Sequence, residues 1–137
     1  MLALAGGAPV ADAATVPTVL TQIGRGSTFA VRPAQIIYTG DGSGILGGFA
    51  AGGPNRHFGR LTWTRWTRHE AAAHGAVWLD DCEPNCAEGT FHPYAVTVRA
   101  LDPRHGHFTV LTLRYTFAGK RVVDRRTLLR HGVSYSY

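Results

Sequence analysis

The sequence predicts a single small all-β domain, an antiparallel sandwich or barrel of about six to seven strands. Its length of 137 residues fits one domain. Beyond residue 28, β-branched and aromatic residues alternate with polar ones between turn signals, as they do in half-buried strands. Helical propensity is confined to Thr67–Ala76, a segment too short to form a stable helix alone.

Three strands are predicted before the cysteines, and a glycine-rich segment separates the first from the second. Pro33 implies an edge position or a break in the first strand, and Trp66 shifts the alternation of the second, which indicates a bulge or a strand end. The predicted strands are Thr28–Tyr38, Arg60–Arg68 and Ala76–Leu79.

The C-terminal half predicts an antiparallel meander of three strands joined by tight turns. The middle strand is apolar on both alternations, which predicts a central strand covered on both sides. Leu113 should therefore lie in the core, whereas Arg114 should mark where one face meets water. The strands are Phe91–Leu101, Phe108–Phe117 and Arg121–Leu129, with turns at Asp102–Gly106 and Ala118–Lys120.

The first fourteen residues resemble the later part of a secretory signal. They are apolar and small, and Ala11-Asp12-Ala13 matches a small-x-small cleavage site. The basic segment that begins such signals is missing, so we expect the coding start to lie upstream. We expect cleavage after Ala13, a linker over residues 15–28, one β domain over 29–137, and a secreted or cell-envelope location. No segment reaches the roughly 20 apolar residues that span a bilayer.

Cys82 and Cys86 flank Pro84 and Asn85, two turn formers that bend the chain so that the sulfurs can approach. A zinc site normally needs four ligands, and a redox pair is more often a C-x-x-C opening a helix. The spacing therefore predicts a disulfide, which would persist in an exported protein.

The charge balance is basic, with a net charge of +5 and thirteen arginines against one lysine. Such a balance suits nucleic acid, anionic lipid or an acidic wall polymer. Because the arginines are scattered from Arg25 to Arg130, we expect no nucleic-acid site. No cofactor or metal is predicted, and the oligomeric state is left open.

Several segments together resemble a group of small secreted or lipid-anchored actinobacterial proteins of unknown function. The likeness runs over about residues 30–117, and its most specific part is the D-C-x-P-x-C-A-x-G element at Asp81–Gly89. It implies export and a disulfide but no activity. The chain has no lipidation cysteine behind its apolar start, so anchoring is not implied. The matching segments are Arg32–Gly42, Leu61–Trp66, Asp80–Gly89 and His92–Val98.

Chemistry could reside in three places. Acidic residues crowd the cysteine turn, where paired carboxylates could serve acid–base catalysis or bind Ca²⁺. His105 and His107 could hold a metal with a third ligand, although exposed turn histidines are the simpler interpretation. Ser43 lacks the Gly-x-Ser-x-Gly context of a hydrolase nucleophile. The acidic residues are Asp80, Asp81, Glu83 and Glu88.

The leading hypothesis is a non-enzymatic exported module that binds an unknown ligand at the envelope or outside the cell. Its surface would combine Trp66, expected to reach solvent, with Arg65, Arg68 and His69. Trp63 and Trp78 are assigned to the core, where each would bury a large apolar area. The alternative is an envelope hydrolase that uses the acidic residues near the Cys82–Cys86 turn.

Overall fold

The computed structural model describes residues 16–23, 28–48, 59–129 and 132–134, and it confirms the all-β class. No helix within these ranges is long and apolar enough to cross a membrane. The strands in chain order are β1 (Val19–Leu20), β2 (Phe29–Ala30), β3 (Ile36–Ile37), β4 (Gly44–Leu46), β5 (Thr62–Trp66), β6 (Ala71–Asp80), β7 (Phe91–Arg104), β8 (His107–Phe117), β9 (Lys120–Leu129) and β10 (Gly132–Ser134).

One antiparallel sheet forms a curled half-barrel. Its strand order is β10-β9-β8-β7-β6-β4-β3. The strands β4 and β5 pair with the same edge of β6, β4 near its end and β5 near its beginning. The curl brings β9 near the residue that follows β3. The Arg126 guanidinium of β9 lies 5.4 Å from the centre of the Tyr38 ring. The strands β1 and β2 form a separate two-stranded ribbon.

The predicted meander is confirmed, with β8 between β7 and β9. Leu113 is fully buried and Arg114 is exposed, as the alternation predicts. Phe108 and Val110, on the other alternation, are 1% and 6% exposed, so the first half of β8 is covered on both faces. Leu113→Ala therefore removes a core side chain, whereas Arg114→Ala changes a surface one.

The strand β7 extends three residues beyond its predicted end and contains two prolines. Pairing with β8 begins at Val96, so Pro93 lies in a stretch that has only β6 beside it. Pairing with β6 ends at Ala100, so Pro103 lies in a stretch that has only β8 beside it. Each proline, which lacks an N–H group, thus occurs where only one neighbouring strand is found within the described ranges.

The strand β6 is longer than the predicted Ala76–Leu79 and includes most of the alanine-rich segment with helical propensity. Tertiary packing explains the difference, since Ala71 and Ala73 are 0% and 5% exposed within the core. A Cβ at Gly75 would lie 2.6 Å from the Gly59 carbonyl oxygen, so only glycine fits there. The small residues of β6 therefore allow the neighbouring backbone to approach closely. They form a strand and not a helix.

Part of the segment assigned to a linker belongs to the fold. Val19 and Leu20 of β1 are 0% and 3% exposed, and Ile23 is 1% exposed. These apolar side chains enter the half-barrel because the chain crosses its interior, bridging β8 at Thr18–His107 and β3 at Gln22–Ile37. The predicted signal segment, residues 1–14, lies outside the described ranges.

Candidate functional site

The structure corrects the predicted exposure of Trp66. The register of β5 shifts between Trp63 and Arg65, so Trp63 pairs with Ala73 and Trp66 with Ala71, both on the core side. The bulge was predicted, but its consequence is that Trp66 turns inward. Trp66 is 8% exposed, and its Nε1 donates a hydrogen bond of 2.9 Å to the Pro17 carbonyl oxygen. It cannot contact a ligand at the surface.

The three polar residues predicted beside Trp66 remain exposed in and next to the β5–β6 turn. Arg65 pairs with Glu70, which also accepts a hydrogen bond from Arg99 of β7. The two arginines lower the pKa of the Glu70 carboxyl group. Arg68 and His69 lie at the turn itself. Without Trp66, these residues form no aromatic–cationic surface.

The other two tryptophans were assigned to the core. Trp78 is 8% exposed and packs in a smaller apolar cluster with Ile45 and Ala76. Trp63 is half-buried against the main core, and its Nε1 donates to the Pro33 carbonyl oxygen at 2.7 Å.

The Cys82–Cys86 disulfide is present, with an S–S distance of 2.00 Å. Two of the acidic residues around it, Asp80 and Asp81, accept backbone hydrogen bonds within the loop. Asp80 Oδ1 accepts the Cys82 N–H, and Asp81 Oδ1 accepts the Glu83 and Thr90 N–H groups. The bond from Thr90 joins the two ends of the loop between β6 and β7, and the other two form local turns after β6.

Asp81 also meets a histidine. Its Oδ2 lies 3.0 Å from His92 Nε2, and the two side chains are 36% and 49% exposed. The backbone hydrogen bond from Thr90, followed by the bond with His92, lowers the pKa of Asp81 to about 2. Asp81 is therefore an anion that caps a loop on an open surface.

The two histidines of the β7–β8 turn point to different environments. His105 is exposed in the turn, with φ of 52°. His107 stacks on Phe29 with ring centres 4.0 Å apart, and its Nδ1 lies 2.7 Å from Thr18 Oγ1. No group of three or more potential metal ligands occurs within the part of the chain that the structure describes.

Ser43 closes the turn before β4. Its backbone N–H and its hydroxyl group both contact Asp41 Oδ1, at 2.9 and 2.7 Å. Hydrogen bonding by Ser43 lowers the pKa of Asp41. This is an Asx turn, in which an aspartate accepts the N–H two residues later, and it accounts for both side chains.

A basic surface that the sequence did not predict lies on the outer face of the meander. Arg114 of β8 pairs directly with Val123 of β9, so both occupy one face. Arg121 and Arg125, two residues to either side of Val123, share that face because side chains alternate along a strand. Arg99 of β7 joins them through the pairs Arg99–Thr112 and Thr112–Arg125. We call Arg99, Arg114, Arg121 and Arg125 the outer arginine face.

Two open depressions of about 900 and 320 Å³ lie over this face and share His74, Thr97 and Arg114. Arg121 lines the larger one, and no carboxylate of the described residues lines either. Val123, in the larger depression, is 62% exposed. The surface thus combines cationic groups with apolar area, and Glu70 pairs with it only at Arg99.

Guanidinium groups arranged on an open sheet face can bind several phosphate or carboxylate groups at once. The four arginines lie on three different strands, so they form no cluster in the sequence. Predicting the outer arginine face would have required the register of the β8–β9 hairpin, in which the turn Ala118–Gly119 sets Arg114 opposite Val123. Alternation counted outward from that turn brings Arg121 and Arg125 to the same side.

Comparison with known proteins adds no relationship. No family model matches the chain, and neither the curated proteins nor the solved structures include a significant match. The likeness to small secreted or lipid-anchored actinobacterial proteins of unknown function therefore stays a prediction from the sequence.

Proposed function

We propose that this chain is an exported, non-enzymatic β domain that binds an anionic ligand of the cell envelope through the outer arginine face. One observation carries the proposal: Arg114 and Arg121 line a wide depression in which none of the described lining residues is acidic. The net charge of +5 would favour encounter with a polyanion. The location is supported by the disulfide, which persists in oxidising compartments.

The shared chemistry of the ligand is a set of phosphate or carboxylate groups, which an envelope offers as a polymer or as lipid headgroups. Val123 favours lipid headgroups over a polymer as the ligand. An exposed aliphatic side chain among arginines gains binding free energy when it enters a lipid interface, and gains little against a hydrated polymer. Binding should weaken with added salt in either case, since the contacts are exposed and screened.

The test is co-sedimentation of the chain with phosphatidylglycerol vesicles, beside titration with soluble polyphosphate. Changing both Arg114 and Arg121 to Gln should weaken binding about 25-fold, at about fivefold per arginine near an anionic surface. The matched control is Arg32→Gln with Arg60→Gln, which removes the same charge from exposed positions elsewhere. Equal loss in both double variants would refute the assignment to this face. Val123→Ser should weaken vesicle binding alone if the ligand is lipid.

Export itself has a direct test. Mass spectrometry of the protein from its native host should find the chain beginning at Ala14, after cleavage behind Ala13. Intact Met1 in the cytosolic fraction would contradict export and, with it, an envelope ligand.

The hydrolase alternative has one supporting observation, the contact between Asp81 and His92. We prefer a binding function because Asp81 Oδ1 already accepts two backbone N–H groups of its own loop. Incubation with purified cell walls decides between them. Soluble fragments released by the parent and lost in His92→Gln would favour the hydrolase.

A further inference from the structure

A further cavity, of about 360 Å³, opens at one end of the half-barrel between the β1–β2 ribbon and the β7–β8 turn. We call it the mouth pocket. It lies apart from the outer arginine face and shares no lining residue with the two depressions there. Ligand sites commonly occur in the mouths of β-barrels, and its volume lies within the usual range of roughly 300–1,000 Å³.

The floor of the mouth pocket is apolar. Leu20, Phe108 and Leu128 line it, and they are 3%, 1% and 6% exposed. They come from the ribbon, β8 and β9, which belong to different parts of the fold. An apolar group placed on this floor would leave water for a dry surface, which is the main favourable contribution in such pockets.

One wall is held in place by stacking and hydrogen bonding. His107 stacks on Phe29 at an angle of 24° between the rings, and Thr18 Oγ1 holds its Nδ1. Thr18 also donates to the Gly106 carbonyl oxygen at 3.4 Å, and its own N–H bonds the same oxygen at 3.0 Å. Because both rings are fixed before any ligand arrives, little freedom remains to be lost on binding.

The rim carries a guanidinium group and an imidazole. Arg104 and His105 line it, and none of the described lining residues is acidic. Arg104 Nε bonds Asp102 Oδ2 at 3.2 Å, which orients the guanidinium group. Neither Nη atom of Arg104 bonds a residue in the described ranges, so both remain available to a ligand. The Thr109 hydroxyl group lies 3.1 Å from the same Oδ2 atom and 2.6 Å from the Asp102 carbonyl oxygen.

We propose that the mouth pocket binds a small amphiphilic carboxylate, with its apolar body on the Leu20–Phe108–Leu128 floor and its carboxylate at Arg104 and His105. A guanidinium group suits a carboxylate because both are planar and can form two parallel hydrogen bonds. This inference goes beyond the proposed envelope function and would stand if the outer arginine face bound nothing.

The experiment uses octanoate as the probe and octanol as its neutral counterpart, with binding followed by calorimetry and by NMR of the isotope-labelled chain. Octanoate should bind about tenfold more tightly than octanol, because only octanoate gains a charged hydrogen bond. Both probes should shift the signals of Leu20, Phe29 and Leu128. Equal affinity of the two probes, no binding of either, or shifts confined to other residues would overturn the proposal.

Variants separate the rim from general charge. Arg104→Gln should reduce octanoate affinity about tenfold and leave octanol affinity unchanged. Arg65→Gln is the matched control, an exposed arginine that also pairs with a carboxylate but lies away from the pocket. His105→Asn is a second rim variant that preserves the fold, since asparagine tolerates the positive φ at this position. Unchanged octanoate affinity in both rim variants would refute the cationic rim.

Discussion

Residues 16–48 and the strands β6–β9 build the same core in different ways. The strands β6–β9 have 10 to 14 residues each, whereas β1–β4 have two or three. Yet each region supplies five of the ten largest fully buried side chains among the residues that the structure describes. The first five are Val19, Ile23, Ile36, Tyr38 and Leu46, and the second five are Val77, Val98, Phe108, Leu111 and Leu113.

The difference shows that strand length and contribution to the core are separate properties. The long strands form the curved wall, and regular alternation decides which side chains face inward. The N-terminal region fills the space that this wall encloses, and tertiary contacts bury its largest apolar side chains, although Val31 is 39% exposed. The buried hydrogen bond from Trp66 Nε1 to the Pro17 carbonyl oxygen is one contact that joins the N-terminal region to the rest of the fold.

The largest expected effect comes from removing the N-terminal part of this filling. A chain beginning at Gly24 loses Val19, Leu20 and Ile23, each worth about 1.5–3 kcal/mol when buried. The sum approaches the whole stability of a small domain, about 5–15 kcal/mol. We expect this chain to show no cooperative thermal transition, whereas a chain beginning at Thr15 should melt like the parent. A normal transition in the shorter chain would show that the ribbon is dispensable.

Next in size are truncations of one core side chain in each region. Ile36→Ala in β3 and Leu113→Ala in β8 remove side chains that are both 0% exposed. Each should cost about 2–5 kcal/mol in urea unfolding, despite the different strand lengths. Arg114→Ala, next to Leu113 but exposed, should stay within about 0.5 kcal/mol. A small cost for Ile36→Ala alone would break the equivalence of the two regions.

A glycine in β4 tests how tightly the filling is packed. A Cβ at Gly44 would lie 2.7 Å from two atoms of the Tyr38 ring and 2.8 Å from Thr39 Cγ2. Gly44→Ala should therefore cost about 1–3 kcal/mol by overpacking. In a double-mutant cycle with Tyr38→Leu, part of that cost should disappear. Strict additivity of the two changes would mean that the ring is not what excludes the methyl group.

A smaller effect, of opposite sign, is expected in the wall. Thr112 is 8% exposed, and its Oγ1 is buried without a hydrogen-bond partner among the described residues. Thr112→Val removes that unsatisfied hydroxyl group and should stabilise the fold by about 1 kcal/mol. Thr97→Val on the exposed side of β7 is the control and should change thermal stability little. Destabilisation by Thr112→Val would indicate a hydrogen bond to this hydroxyl group.

The smallest expected effect concerns the cysteine loop, which lies at the end of the wall. The pKa of Asp81 is lowered to about 2 from 3.8, so its contribution to stability is present above pH 3.8 and lost as the pH falls towards 2. Asp81→Asn should reduce the difference between urea midpoints measured near pH 5 and near pH 2. An unchanged difference would mean that the loop contributes nothing to acid sensitivity.

The alternation of apolar and polar residues, together with the turn-forming residues, predicted the wall from the sequence because its strands are long. The meander, its central strand and the burial of Leu113 are confirmed. The strand β6 was predicted too short, because Glu70–His74 has helical propensity that packing in the core overrides. Strands of two residues cannot show a period, which is why β1 was placed in a linker.

The predicted site depended on the direction of one side chain. The shift in alternation at Trp66 was detected, but an extra residue in a strand can turn the next side chain inward as readily as outward. Only pairing with β6 decides which, and that pairing places Trp66 opposite the buried Ala71. The outer arginine face needed the same information, since it is assembled from three strands.

The prolines of β7 have a consequence for association between copies of the chain. Strand segments that lack a neighbour offer free backbone groups to a second molecule, which is how edge-to-edge aggregation begins. Pro93 and Pro103 occur in the two such segments of β7. A proline removes one donor from the exposed ladder, so an incoming strand could not complete its hydrogen bonds there. Among the described residues, both ends of the longest strand therefore carry a proline that disfavours pairing with a second copy.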